Sequence, residues 1–318
     1  MGHDHGGRAH GQAHGQAHGH AHGTAAGQHT GRLTAVLVVT VVVGVVEVVG
    51  GLLSGSLALL ADAGHVGADA AGLAVALAAI RLAQRPATAK RTWGLARAEV
   101  IAAAVNATAL GAVALWVLVE AVGRLADPPK VDAVPMLVVG LVGLVGNAVG
   151  VGLLVSARSS GLTLRGAFLE VLTDALASAG VVLAALVLLL TGYARTDALV
   201  AVGIAVVVLP RAWRLLRASV EVLMEAVPAG VDLDELREHL LALPHVVGVH
   251  DLHASTVTSG LPVLTAHVVV EEHCFATGHA PELLDAVQEC IAEHFDVPHS
   301  TVQLEPAGHA HHERGAHS

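Results

Sequence analysis

Six apolar segments set the limits for this chain, at residues 33–53, 57–82, 99–124, 132–156, 167–191 and 197–217. Each approaches the roughly 20 residues that a helix needs to cross a bilayer. In lipid every backbone amide and carbonyl has to be bonded within the segment, so a bundle of six helices is the expected form. The rest of the composition agrees. Of 318 residues, 54% are hydrophobic and 14% charged, more apolar than a soluble domain of this size. The N-terminus is rich in His and Gly, and the first apolar run is long enough to span and lacks a cleavage site, so no cleaved leader is expected.

Basic residues orient the bundle. The second connection carries Arg81, Arg85, Lys90, Arg91 and Arg97, the fourth carries Arg158 and Arg165, and Arg211, Arg214 and Arg217 close the sixth helix. The first connection has no Lys or Arg. By the positive-inside rule both termini face the cytosol, here of a bacterial inner membrane. Residues 1–31 are a low-complexity stretch of His, Gly, Ala and Gln, expected to be a disordered tail. Histidines return from residue 307 to the end at 318, in a second short tail.

After Pro228 the pattern changes. Residues 231–242 predict an amphipathic helix with Leu233, Leu236, Leu240 and Leu241 on one side. Val- and Thr-rich strands follow at 246–256 and 262–271, then a helix at 281–294 and a strand at 300–305. Residues 228–306 therefore predict a small cytosolic α+β domain. Cys274 and Cys290 lie in it, far apart, and suit a reducing compartment rather than a disulfide.

The chemistry is concentrated inside the spans. Ionisable groups in a bilayer cost about 2.5–3.5 kcal/mol each, so a cluster of them calls for a function. The second helix holds Asp62, His65 and Asp69 in LLADAGHVGAD, and the fifth holds Glu170 and Asp174 in FLEVLTDALAS. Both His65/Asp69 and Glu170/Asp174 are i, i+4 pairs, which share a helix face. On facing helices they would surround a cation with one imidazole and three carboxylates, enough for a tetrahedral site. Asp62, Glu47, Asn106, Glu120 and Asn147 read instead as polar contacts between helices. His65 is the only histidine in the six spans and no HExxH occurs, which argues against an intramembrane metalloprotease. A membrane-anchored metal sensor or buffer would have no need of ligands at mid-bilayer.

The ordered set SGSLALLADAGHVGAD, RPATAKRTWGLARAE, FLEVLTDALASAG, VHDLH and TSG resembles the cation diffusion facilitator family of metal/proton antiporters over about residues 32 to 306. That resemblance implies six transmembrane helices over 32–227, a metallochaperone-like (ferredoxin-like) cytosolic domain, and a homodimer. It implies a transporter rather than an enzyme, with divalent metal ions and the lipid bilayer as partners and no nucleic acid. It places the central ion site on His65, Asp69, Glu170 and Asp174, with zinc exported from the cytosol against protons. Glu170 stands where zinc members commonly carry His, which makes the site richer in oxygen and leaves cobalt, cadmium, iron or manganese as alternatives. The family's further metal site between helices two and three is not expected, because Arg91 and Leu95 occupy the positions of its histidines. In the cytosolic domain the resemblance supports His250, His267 and Glu305 as regulatory ligands, with His279 an extra candidate by position. His239, His245, His294 and His299 read as lone histidines.

Overall fold

The computed structural model describes residues 21–83, 85–155, 162–258 and 260–309; over 21–33, 162–167 and a few positions of the second helix it describes the backbone alone. The six long helices are α1 (Ala21–Ser54), α2 (Leu57–Ala83), α3 (Ala98–Ala126), α4 (Ala133–Val155), α5 (Leu162–Thr191) and α6 (Arg195–Leu223). Five of them are long and apolar enough to cross a membrane. The sixth, α2, is 27 residues long and carries the buried Asp62 and His65. Helix α1 is described from Ala21, within the stretch 1–31 that the sequence marks as a tail. Residues 1–20 and 310–318 lie outside the described residues.

The outer surface of the bundle is apolar. Val38, Val42 and Leu52 on α1, Trp116 and Val119 on α3, Val138 and Val145 on α4, and Leu183 and Leu190 on α5 are all exposed, a belt suited to acyl chains. Inside, α2 packs against α1, α3, α5 and α6, and further contacts join α1 to α4, α4 to α5, and α3 to α6. Small residues allow the close approach. A side chain at Gly140 of α4 would meet Val181 and Val182 of α5 at 3.1 and 3.2 Å.

The start of α2 is capped from another helix. Asp197 of α6, 1% exposed, accepts from Ser56 Oγ (2.6 Å), Leu57 N (2.8 Å) and Ala58 N (3.1 Å). These are orphan donors of a helix N-terminus, and a buried carboxylate satisfies them at the place where a loop enters the membrane.

The smaller domain contains α7 (Leu233–Leu241), β1 (Val246–Thr258), β2 (Leu261–Val270), α8 (His273–Thr277), α9 (Ala280–Phe295) and β3 (His299–Pro306). The sheet order is β1-β2-β3, antiparallel between β1 and β2 and parallel between β2 and β3. Leu236 and Leu240 of α7 and Leu283, Val287 and Ile291 of α9 pack with Val268 and Val270 of the sheet. Leu241 is 42% exposed, against the expectation that it shares the buried side, because it lies about 100° around the helix from Leu240. The short helix α8 was not foreseen in the sequence.

Candidate functional site

Helices α2 and α5 carry the two i, i+4 pairs, and their packing brings the four side chains into one cluster, with the Glu170 carboxyl beside that of Asp69. The His65 ring lies between two carboxylates, with Nδ1 3.5 Å from Asp69 Oδ2 and Nε2 3.6 Å from Asp174 Oδ1. Tetrahedral zinc with bonds of ~2.0 Å spaces its ligand atoms ~3.3 Å apart, close to each contact, and because one ion takes one ring nitrogen, His65 forms such an edge with one carboxylate at a time. His65 and Asp174 are 4% and 3% exposed. Neither His65 Nδ1 nor Asp174 Oδ1 has a hydrogen-bond partner among the described residues. Buried polar atoms left in that condition are costly unless something fills the gap.

Glu170, one turn before Asp174, is held differently. Arg211 of α6 donates from Nη2 to Glu170 Oε1 at 2.8 Å, and its Nη1 lies 3.9 Å from Asp69 Oδ2. A fixed positive charge therefore occupies the edge of the carboxylate cluster. The sequence reading assigned Arg211 to the basic residues that orient the bundle, but α6 runs on to Leu223 and places it well inside the helix.

A second polar layer lies beside the first. Asn147 Nδ2 of α4 donates to Ser178 Oγ of α5 at 3.1 Å, and Ser178 Oγ donates to Asp62 Oδ2 of α2 at 3.1 Å. This chain joins three helices, in keeping with the packing roles expected of Asp62 and Asn147. Glu47 of α1 is 1% exposed, beside the Asp62 carboxyl, and Gly143 of α4 leaves room for it: a Cβ there would stand 2.5 Å from Glu47 Oε1.

In the smaller domain His250 of β1 and His267 of β2 are direct partners in the ladder, with ring centroids 5.1 Å apart. His250 Nε2 contacts the buried Glu305 carboxylate of β3. The sequence reading missed Asp251, whose Oδ2 lies 3.6 Å from His250 Nδ1 and 4.0 Å from His267 Nδ1. Strict alternation would send residue 251 to the opposite face. A register shift between His250 and His253 and a φ of 46° at Asp251 turn it back. His279 does not join this group. It lies beside His245, ring centroids 5.4 Å apart, so His245 is not the lone histidine expected.

Comparison with known proteins gives the family. Residues 33–224 match the cation efflux transmembrane domain and residues 228–307 the cytoplasmic domain of cation efflux proteins. The chain belongs to the cation diffusion facilitator family. It is 45% identical to the metal cation efflux system protein CzcD of Cupriavidus metallidurans over 261 residues, 82% of either chain. It is 37% identical to the zinc transporter ZitB of Escherichia coli, over 84% of this chain and 88% of that one. It is 34% identical to a cadmium, cobalt and zinc/H(+)-K(+) antiporter of Bacillus subtilis, over 83% and 85%. As a cation diffusion facilitator the protein is a multi-pass membrane transporter for divalent metal efflux and not an enzyme. Glu170 and Arg211 are in contact.

Proposed function

We propose that the protein exports zinc from the cytosol in exchange for protons, with His65, Asp69, Glu170 and Asp174 as the ligands of the transported ion. The observation that carries this reading is the buried His65 ring between Asp69 and Asp174, at 3.5 and 3.6 Å, with His65 Nδ1 and Asp174 Oδ1 left without hydrogen-bond partners among the described residues. Protons and metal compete for the same lone pairs on these four groups, so an ion arriving from the cytosol displaces protons. When the site opens outward, higher proton activity returns them and releases the ion. One site reached alternately from two sides is sufficient. The names of the relatives favour the same chemistry: the Bacillus protein couples cadmium, cobalt and zinc to H(+) and K(+), and the Escherichia protein is a zinc transporter.

In this reading both termini are cytosolic, residues 32–227 form the transport domain, and residues 228–306 regulate it within a homodimer. His250, His267 and Glu305, joined by Asp251, take cytosolic zinc as a regulatory ion. The oxygen-rich donor set at Glu170 favours some transport of harder divalent ions as well.

The test is zinc uptake into inside-out proteoliposomes with an acid interior. Wild-type protein takes up zinc only with the gradient imposed, and Asp69→Ala or Asp174→Ala reduces uptake to background while the protein still inserts and folds. Wild-type uptake in either variant would overturn the assignment.

A further inference from the structure

The end of the β1–β2 hairpin gathers a set of side chains that the transport reading does not use. Glu271 N donates to His245 O at 3.0 Å, which joins the residue before β1 to the residue after β2. Cys274 N then donates to Glu271 O and His279 N to Cys274 O, both at 3.0 Å, folding α8 back over the same corner. Gly278, with a φ of 78°, makes the turn that admits His279. His245 itself holds a φ of 68°, uncommon for a residue other than glycine, and that conformation directs its ring toward α8.

The rings are oriented as metal ligands usually are. His245 Nδ1 and His273 Nδ1 both meet Glu271 Oε2, at 3.0 and 3.1 Å. His279 Nδ1 meets Glu282 Oε2 at 2.9 Å. A carboxylate on Nδ1 fixes the tautomer and leaves Nε2 as the donor for a metal. Cys274 Sγ lies 4.0 Å from His273 Nε2, and one ligand atom from each of His245, His273 and Cys274 falls within 4.8 Å of the others. An open pocket of about 400 Å³ lined by His245, His273, His279 and Glu282 gives access from solvent. Sulfur and nitrogen ligands around tetrahedral zinc are ~3.3–3.6 Å apart, so movement of the exposed rings by about an ångström closes the site.

We propose that His245, His273 and Cys274 form a second cytosolic metal site, with His279 as the fourth ligand, that takes a borderline-soft divalent cation of the zinc type. On binding, the Cys274 thiol releases its proton to water and the thiolate forms the metal–sulfur bond. The site differs in chemistry from His250, His267, Asp251 and Glu305, which offers no sulfur. A nitrogen and sulfur donor set suits zinc, cadmium or cobalt over calcium, magnesium or manganese.

Sulfur makes the proposal testable in the intact protein. Full-length protein in detergent micelles is titrated with cobalt(II), and the near-ultraviolet thiolate-to-cobalt charge-transfer band is followed. The band should appear with one cobalt per chain, disappear in Cys274→Ser, and weaken at least tenfold in apparent affinity in His273→Ala, whose exposed side chain can be removed without disturbing the core. It should persist in Cys290→Ser, because burial pushes the Cys290 thiol up and away from the thiolate form, and in the His250→Ala/His267→Ala double variant. The histidine tails carry no thiol and cannot produce the signal. Absence of the band at saturating cobalt, its survival in Cys274→Ser, or an unchanged affinity in His273→Ala would overturn the proposal.

Discussion

Replacing Arg211 by Gln should tighten zinc binding at the transmembrane site. An ion entering between His65, Asp69 and Asp174 has to compete with a guanidinium that already holds Glu170 at 2.8 Å and stands 3.9 Å from Asp69. Two unit charges about 4 Å apart interact by about 4 kcal/mol at an effective dielectric near 20. Arg211 and Glu170 are 39% and 36% exposed in side chain, however, and exposed pairs are measured at only about 0.2–1 kcal/mol. Charge-assisted hydrogen bonds in more buried places reach about 1.5–3 kcal/mol. A contact between these limits contributes about 2 kcal/mol, which is roughly a 30-fold change in the zinc dissociation constant. The assay is zinc competition against a fluorescent chelator in micelles, with the His250→Ala/His267→Ala background to silence that cytosolic pair and Asp69→Ala to give the residual signal. Tighter binding should be accompanied by a lower maximal flux, because the ion leaves more slowly. Unchanged or weaker binding in a folded Arg211→Gln protein would refute the argument.

Two further outcomes follow from the geometry. The His250→Ala/His267→Ala variant should keep proton-coupled zinc flux with a weaker response to cytosolic zinc, read as flux against zinc concentration; complete loss of flux in a folded variant would mean that this metal is obligatory. Asp197→Ala removes the acceptor of Ser56, Leu57 and Ala58 and should cost about 3 kcal/mol of stability, the sum of a lost cap and buried orphan donors, seen as a lower midpoint of denaturation in micelles.

The helices were legible because lipid leaves a chain few choices: long apolar runs mark them, and i, i+4 spacing shows which polar groups share a face. The cap at Asp197 was not legible, since it joins residues 140 apart in sequence. Arg211 was misread for a different reason. A basic residue near the end of an apolar run satisfies the topology rule equally well whether it faces the headgroups or turns inward, and only the packing of α6 against its neighbours decides. Asp251 was hidden by a bulge, which alternation does not anticipate. His245 was more accessible to inference than its reading as a lone residue implies. The His250–His267 pairing sets a hairpin register that carries residue 245 to the neighbourhood of 271 and 272, the register shift between Val246 and Gly248 choosing 271, and His273 and Cys274 follow immediately.

Charge balance ties the two unusual residues of the transmembrane site together. Asp69, Glu170 and Asp174 supply three formal negative charges and Arg211 returns one, leaving two for a divalent ion. A site with His in place of Glu170, the pattern common in zinc members of the family, reaches the same total from two carboxylates without an arginine. The Glu170–Arg211 pair is thus electrically equivalent to a neutral imidazole. The substitutions should therefore be of opposite sign and offset each other. Glu170→His alone leaves the Arg211 charge uncompensated beside the ion and should weaken zinc binding by about tenfold, for about 1.4 kcal/mol. Arg211→Gln alone tightens it, and the double variant returns close to the wild-type affinity, with a narrower preference for zinc over manganese because a nitrogen has replaced a harder oxygen. The measurement is a double-mutant cycle on zinc and manganese dissociation constants. A double variant whose zinc affinity departs from the wild type by more than about tenfold, about 1.4 kcal/mol, would show that the two changes do not offset each other, and the equivalence with an imidazole would have to be abandoned.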